Sequence, residues 1–277
     1  MELFHKTAFK CSKLITEHYS SSFTLGIKTL DKKFHSAIYA IYGYVRYADE
    51  IVDTFHDYDK SDLLKRFKED TYKALYDNIS LNPILHSFQL TVKKYNIEIE
   101  LIDAFLKSME MDLEGSEYNP AEYNKYIYGS AEVVGLMCLR VFSECNEDVY
   151  NNLKEPARSL GAAFQKVNFL RDIKSDYFER GRIYFPGVDF ACFGKDAKQL
   201  IEEDIEKDFL AAYKGIINLP EGARKGVYLA YVYYTILFKK IKKTSAKKIM
   251  EARIRVPDSH KIALLLGAHL KSSMNFL

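Results

Sequence analysis

Apolar residues recur at steps of three and four along almost the whole chain, and no segment alternates convincingly with a period of two. The clearest stripe follows Asp31, a predicted N-cap, and consists of Phe34, Ile38, Ile41, Val45, Ala48, Val52 and Phe55. Further helices are predicted at about 62–77, 83–95, 98–114, 120–144, 148–176, 197–217, 221–245 and 258–272. The sequence therefore predicts an all-α fold.

Helix-breaking residues fall between these predicted helices, as Pro83, Gly115 and Pro120 do. One stretch differs in character: ERGRIYFPGVDFACFG, at 179–194, mixes glycine and proline with aromatic residues and is predicted to be an ordered loop or lid. No fixed-period repeat or Gly/Ser-rich linker divides the chain, and its hydrophobic content of 48% is ample for a large core. We expect residues 1–277 to form a single domain.

Composition excludes several classes of function. The net charge of +2 gives no global attraction to nucleic acid. The four cysteines show neither metal-ligand spacing nor a disulfide pattern, and the first residues lack the apolar stretch of a secretory signal. The longest apolar run, 226–238, is shorter than the roughly 20 residues that span a bilayer. We expect a soluble, cytoplasmic protein without a nucleic-acid partner.

Two aspartate pairs with a spacing of four residues lie in apolar surroundings. Asp49 and Asp53 belong to RYADEIVDTF, and Asp172 and Asp176 follow an equally apolar segment. A third pair, in IEEDIEKDF, lies among glutamates and is interpreted as a solvated acidic face. Half-buried carboxylates are costly unless they have a partner, so each of the first two pairs requires a cation.

The spacing of each pair suits a divalent ion. Residues four apart lie one above the other on a helix, and Mg²⁺ both relieves the repulsion between two carboxylates and accepts phosphate oxygens. Gln165 and Asn168 continue the polar face of the second pair. Arginines accompany both pairs, namely Arg46, Arg171, Arg180 and Arg182. They either neutralise the aspartates as salt bridges or complete a diphosphate site.

Two long segments carry a resemblance to a known family. SSSFTLGIKTLDKKFHSAIYAIYGYVRYADEIVDTF and QKVNFLRDIKSDYFERGRIYFP resemble the squalene/phytoene synthases, which join isoprenoid diphosphates head to head. The similarity covers most of the chain and includes YIYGSAEVVG from Tyr126 and a closing RIRVPDSHKIALLL. It implies an isoprenoid synthase helical bundle around a central apolar cavity, in which Mg²⁺, or alternatively Mn²⁺, bridges allylic diphosphates to both aspartate motifs.

The resemblance also assigns roles to residues. The implied metal ligands are Asp49, Asp53, Asn168, Asp172 and Asp176. The implied diphosphate contacts are Ser20, Ser22, Arg46, Arg171, Arg182, Gln165 and Asn168. Tyr126 matches a family tyrosine implicated in proton handling or cation steering, although a phenol with a pKa near 10 is a poor base at pH 7. A purely structural role for Tyr126 is equally compatible with the sequence.

Three positions depart from the family pattern. Ser21 stands where relatives often carry lysine or arginine, Glu132 stands in place of glycine after Ala131, and Glu50 follows Asp49 where many relatives have a second aspartate. Ser21 removes a cation from the expected diphosphate environment. Glu132 adds a carboxylate near a helix expected to line the cavity, where it either faces away or pairs with an arginine.

The resemblance predicts an Mg-dependent prenyltransferase that joins two geranylgeranyl diphosphates to phytoene through a cyclopropylcarbinyl diphosphate. The alternatives are condensation of farnesyl diphosphate to dehydrosqualene, presqualene diphosphate or squalene, and an inactive relative that acts as a binding or assembly protein. Use of NADPH is not expected, although the missing dinucleotide fingerprint is weak evidence. We expect a monomer or weak dimer that makes peripheral contact with the membrane.

Overall fold

The computed structural model describes residues 1–115, 118–188 and 193–254. Within these ranges the chain forms α-helices, two π-helical segments and no β-strand, which confirms the all-α prediction. The α-helices are α1 (Glu2–Tyr19), α2 (Ser21–Lys28), α3 (Lys32–Asp53), α4 (Lys60–Asp77), α5 (Pro83–Tyr95), α6 (Ile99–Glu114), α7 (Pro120–Ile127), α8 (Val133–Ser143), α9 (Glu147–Lys174), α10 (Lys195–Ile216), α11 (Glu221–Lys242) and α12 (Ala246–Glu251).

The helix predicted after Asp31 is α3, and most of its predicted apolar stripe is buried in the core. Asp31 occupies the N-cap position, but its side chain makes no capping hydrogen bond. Its backbone N–H instead donates to the carbonyl oxygen of Gly222 at 2.8 Å, which joins the start of α3 to the start of α11.

The helices α1, α2 and α12 are absent from the prediction. The buried face of α1 carries Ala8, Ser12 and Thr16 rather than large apolar residues, so its periodicity gives little signal. Its contact with α5 includes a hydrogen bond of 2.7 Å between the hydroxyls of Ser12 and Ser87. The helices α2 and α12 are short, with 8 and 6 residues.

Two predicted helices contain widened turns. The predicted helix at 120–144 is α7 and α8 joined by a π-helical segment at Tyr128–Glu132, and α9 continues into a second π-helical segment at Ser175–Glu179. Such segments are frequent at functional sites. The helix predicted at 258–272, the closing motif beyond Ile254 and the loop residues 189–192 lie outside the described residues.

Buried apolar side chains form two clusters. The first is built mainly on α3 to α6 and α8, where Tyr44 stacks on Phe88 with ring centroids 3.8 Å apart. The second is built mainly on α9 to α11, together with Tyr184 and Phe185. Residues of both clusters line one large cavity. Within the described ranges, no helix is both long and apolar enough to span a membrane.

Candidate active site

The cavity has a volume of about 750 Å³. Its wall is divided by polarity. Charged residues come from the C-terminal ends of α3, α6 and α9, from 176–182 and from Arg253, while α8 and the earlier turns of α3 and α9 contribute apolar side chains. The charged lining residues within the described chain are Asp49, Asp53, Asp112, Asp172, Asp176, Arg46, Arg171, Arg180, Arg182 and Arg253. Five carboxylates therefore face five guanidinium groups.

The first aspartate motif occupies the last two turns of α3. Burial raises the pKa of Asp49 from 3.8 to about 7, and repulsion by Asp53 acts in the same direction. Asp53 has a cationic partner, because Oδ1 accepts a hydrogen bond of 2.9 Å from Nη1 of Arg182.

Arg46 lies one turn before Asp49 and is already engaged. Its guanidinium donates to the carboxylate of Glu50 and lies over the ring of Tyr19, 4.5 Å from the centroid. Burial opposes the charge of Arg46, but the hydrogen bond to Glu50 and the charge of Asp49 raise its pKa overall. Glu50 thus holds the Arg46 guanidinium along the helix.

The second aspartate motif spans the junction between α9 and its π-helical extension. Asp172 accepts hydrogen bonds from the neighbouring Arg171 and forms an ion pair of 2.7 Å with Arg253. Asp176 pairs with Arg180 at 2.9 Å. Burial raises the pKa of Asp176 to about 6, and the charge of Asp172 adds to this effect.

Arg182 brings the two motifs together. Its backbone N–H donates to the carbonyl oxygen of Asp176 at 2.8 Å, while its side chain reaches Asp53 of α3. Only 9% of Arg182 is exposed. Two segments separated by more than a hundred residues therefore meet at one rim of the cavity, as the family resemblance implies.

Asp112 of α6 also faces this site, although the sequence interpretation did not select it. Its carboxylate accepts hydrogen bonds from the hydroxyls of Tyr126 at 2.8 Å and Tyr184 at 3.2 Å, and Oδ1 lies 3.7 Å from Nη1 of Arg182. Burial raises the pKa of Asp112 to about 6, and the positive charge of Arg182 counteracts part of this rise.

Tyr126 is buried in a group of aromatic rings on the cavity wall. Its ring centroid lies 5.2 Å from Tyr184 and 6.0 Å from Phe169, and Tyr184 stacks on Phe169 at 3.9 Å. Burial, followed by the charge of Asp112, raises the pKa of Tyr126 well above its ordinary value. Tyr126 is therefore a neutral hydrogen-bond donor to Asp112.

Gln165, Asn168, Ser20 and Ser22 line the same cavity. The side-chain oxygen of Asn168 accepts a hydrogen bond of 3.2 Å from Tyr234 of α11, which orients the amide. Ser20 caps α2 by accepting a hydrogen bond of 3.3 Å from the backbone N–H of Phe23.

The structure resolves the question about Glu132. Its carboxylate accepts a hydrogen bond of 2.6 Å from Nε of Arg158 on α9. Gly161 lets α9 approach the segment that carries Glu132, because a Cβ at position 161 would lie 2.5 Å from the carbonyl oxygen of Ala131. Glu132 is thus neutralised by an arginine between helices.

A model of known families matches residues 16–260, under the description "Squalene/phytoene synthase". The chain belongs to the squalene/phytoene synthase family. One relative, a phytoene synthase from Arthrospira platensis, is 27% identical over 292 residues, covering 96% of this chain and 93% of that protein. The family resemblance stated from the sequence is confirmed.

Solved structures of similar fold come from the same family. A dehydrosqualene synthase crystallised in complex with a ligand superposes with a TM-score of 0.78 at 22% identity, covering 97% of this chain and 98% of that chain. The squalene synthase HpnC from Alicyclobacillus acidocaldarius gives a TM-score of 0.75 at 18% identity, covering 86% and 94%. At these identities the likeness establishes the fold.

The donors at this site of the squalene/phytoene synthase fold suit Mg²⁺. Carboxylate oxygens are hard ligands, and Mg²⁺ is usually held by one or two carboxylates together with substrate phosphates rather than by a complete protein cage. Among the residues that the structure describes, no three His, Cys, Asp or Glu side chains form a group that could hold a metal ion by themselves. Asp49 with Asp53, and Asp172 with Asp176, are the two pairs that fit the ion.

Four residues of the site were missed or left without a role by the sequence interpretation: Asp112, Tyr184, Tyr234 and Arg253. Asp112 carried a usable signal, because it follows Phe105 and Met109 on the buried stripe of α6. Arg253 opens the closing motif, but nothing local shows that it reaches Asp172. The two tyrosines resemble the many core tyrosines of this chain.

Proposed function

We propose that the protein is a prenyltransferase that joins two geranylgeranyl diphosphates head to head, through a cyclopropylcarbinyl diphosphate, to give phytoene. The observation that carries the proposal is a single cavity that holds both aspartate motifs and five arginines at one end and apolar walls beyond them. A diphosphate and a hydrocarbon tail need this division of polarity. The similar phytoene synthase from Arthrospira platensis supports the same reaction.

The charge balance argues for divalent cations. Five aspartates offset most of the positive charge of five arginines along the described lining, so a diphosphate gains little net attraction from the protein alone. Bound Mg²⁺, held by Asp49 with Asp53 and by Asp172 with Asp176, would supply the positive charge that stabilises the departing diphosphate.

The protein's own residues bind the diphosphate and surround the carbocation. Arg171, Arg180 and Arg182 now pair with aspartates, and each is placed to transfer hydrogen bonds to diphosphate oxygens once those aspartates have another cation. The aromatic rings of Tyr126 and Phe169 line the cavity, and aromatic rings stabilise a carbocation while excluding water.

The length of the cavity favours the C20 substrate. Its lining extends along α9 from Asp172 back to Leu153, which corresponds to about 28 Å of helix. At ordinary carbon–carbon bond lengths and angles, a C20 isoprenoid chain spans about 19 Å and a C15 chain about 14 Å. A C20 chain fills more of this length than a C15 chain does, and Phe142, Leu153 and Leu219 belong to the apolar part of the lining.

The deciding experiment is to incubate the purified protein with labelled C15 and C20 allylic diphosphates and Mg²⁺, with and without NADPH, and to identify the hydrocarbon. Phytoene from the C20 substrate without NADPH is the expected result. Formation of dehydrosqualene from the C15 substrate would show that the substrate is C15 and not C20. A requirement for NADPH would indicate squalene formation. Absence of any product with either substrate would favour the inactive binding protein.

We propose in addition that the enzyme contacts membranes only peripherally, since its substrates and product are lipids. The lysines near the end of α11 and in α12 are exposed, namely Lys239, Lys240, Lys242, Lys243, Lys247 and Lys248. Such a cluster attracts anionic headgroups. Cosedimentation with anionic vesicles that falls as salt is raised is the expected result. Salt-insensitive binding, or none, would contradict the proposal.

A further inference from the structure

Asp112 is a buried carboxylate at the charged end of the cavity, with 8% of the residue exposed. It lies outside both aspartate motifs. Its two oxygens accept hydrogen bonds from Tyr126 and Tyr184. An acid whose oxygens are both engaged by phenol donors is poorly placed to become a metal ligand, so its negative charge needs another explanation.

The charge of Asp112 is directed at Arg182. Nη2 of Arg182 donates to the backbone carbonyl oxygen of Asp112 at 3.2 Å, and Nη1 lies 3.7 Å from Oδ1. Tyr184 completes the contact, since its hydroxyl accepts from Nη1 at 3.3 Å and donates to Oδ1 at 3.2 Å. The guanidinium is therefore held on one side by Asp112 and Tyr184 while it reaches Asp53 on the other.

This arrangement separates two tasks. At the rim of the cavity, the Asp53 carboxylate accepts a hydrogen bond from Nη1 of Arg182. The same carboxylate is placed to bind a metal cation. A cation at Asp53 would release that bond, and an arginine without a second anchor would then be free to turn away. Asp112 and Tyr184 contact the same Nη1 that binds Asp53, and Nη2 is bound to the backbone of Asp112, so these contacts remain available when Asp53 binds a cation. The contacts with Asp112 and Tyr184 therefore keep the Arg182 guanidinium at the rim of the cavity while Asp53 exchanges Arg182 for a cation.

We propose that Asp112 is a positioning residue that holds Arg182 in place to receive a substrate diphosphate. The proposal rests on the proposed function, because it assumes that a diphosphate binds at this rim. Asp112 acts through Arg182 and not on the reacting carbons. Loss of its charge should therefore weaken diphosphate binding only when Arg182 is present.

A double-mutant cycle tests this dependence directly. The variants are Asp112→Asn, Arg182→Gln and the double variant, and the readout is calorimetric affinity for inorganic diphosphate and for geranylgeranyl S-thiolodiphosphate with Mg²⁺. Asp112→Asn is expected to lower affinity about 10- to 100-fold in the wild-type background, because it removes the charge of a buried ion pair with Arg182 and weakens the bridge through Tyr184. In the Arg182→Gln background it should change affinity less than about twofold.

Glu202 provides a matched control. It is also 8% exposed and pairs with Lys198, away from the cavity lining. Glu202→Gln removes a buried ion pair of the same kind and should leave diphosphate affinity unchanged. Asp112→Glu, which keeps the charge, should retain more affinity than Asp112→Asn. If circular dichroism shows that Asp112→Asn is unfolded, Tyr184→Phe, which removes the hydroxyl that bridges Arg182 and Asp112, takes its place in the cycle.

The outcomes separate the inference from the proposed function. Equal effects of Asp112→Asn with and without Arg182 would show that Asp112 acts on the fold in general, and this would overturn the inference. Unchanged affinity in Asp112→Asn would do the same. If the wild-type protein binds neither probe, the proposed function fails and the inference fails with it.

Discussion

The guanidinium of Arg182 lies 2.9 Å from the carboxylate of Asp53, although 129 positions of chain separate the two residues. This contact joins the end of α3 to the segment that follows α9. It places both aspartate motifs at one rim of the cavity, which is the arrangement that a shared diphosphate site requires.

The second motif gives the first prediction. Asp172→Asn should lower product formation by about 10²- to 10³-fold, because it removes a carboxylate proposed to hold the Mg²⁺ that stabilises the charge of the departing diphosphate. Helical content by circular dichroism should not change. Asp208→Asn is the matched control, since its side chain is 20% exposed against 17% for Asp172 and it pairs with Lys166. Full activity in Asp172→Asn would contradict the metal assignment.

Stability should depend on pH through Asp49. Its pKa is about 7 in the folded chain against an ordinary value of 3.8, so the folded state holds a proton that the unfolded state releases between these values. The free energy of unfolding therefore falls as pH rises through this window. Asp49→Asn should raise the free energy of unfolding at pH 8, by at most about 4 kcal/mol, and leave it unchanged near pH 4.

Chemical denaturation at pH 4 and pH 8 without metal measures this effect. Asp53→Asn is the control, because Asp53 already has Arg182 as its partner and its loss should not stabilise the protein. The prediction fails if Asp49→Asn is no more stable than the wild type at pH 8.

Metal binding should weaken in acid. A carboxyl group must lose its proton to ligate a metal, and the pKa is raised to about 7 at Asp49 and about 6 at Asp176. The apparent affinity for Mg²⁺ in the presence of diphosphate should fall by about tenfold per pH unit below 7. Titration by calorimetry between pH 5.5 and 8 measures it, and a flat profile would argue against Asp49 as a ligand.

Chain length should respond to the apolar end of the cavity. Leu219 lines the cavity and is 6% exposed, so Leu219→Phe should shorten the space available to the prenyl chain. The preference for the C15 over the C20 substrate should rise by about tenfold or more. Competition between the two labelled substrates measures this ratio. Leu210→Phe on the exposed face of α10, where the leucine is 67% exposed, should not alter it.

The sequence alone determined the helical character, the two aspartate motifs and the family. The apolar stripe of α3 repeats over many turns, so its helical period is unambiguous. Each aspartate pair is also a local feature, because two residues four apart lie on the same face of a helix. The single-domain and oligomeric predictions stay predictions.

Tertiary structure decided the partners. Arg158 neutralises Glu132, Arg253 reaches Asp172, and Asp112 meets Arg182, each through a contact between distant parts of the chain. Local periodicity shows that a side chain is buried but not what it faces, because that depends on how the helices pack. The helix α1 was missed for a related reason, since small and polar residues fill its buried face and only neighbouring helices reveal that it is buried.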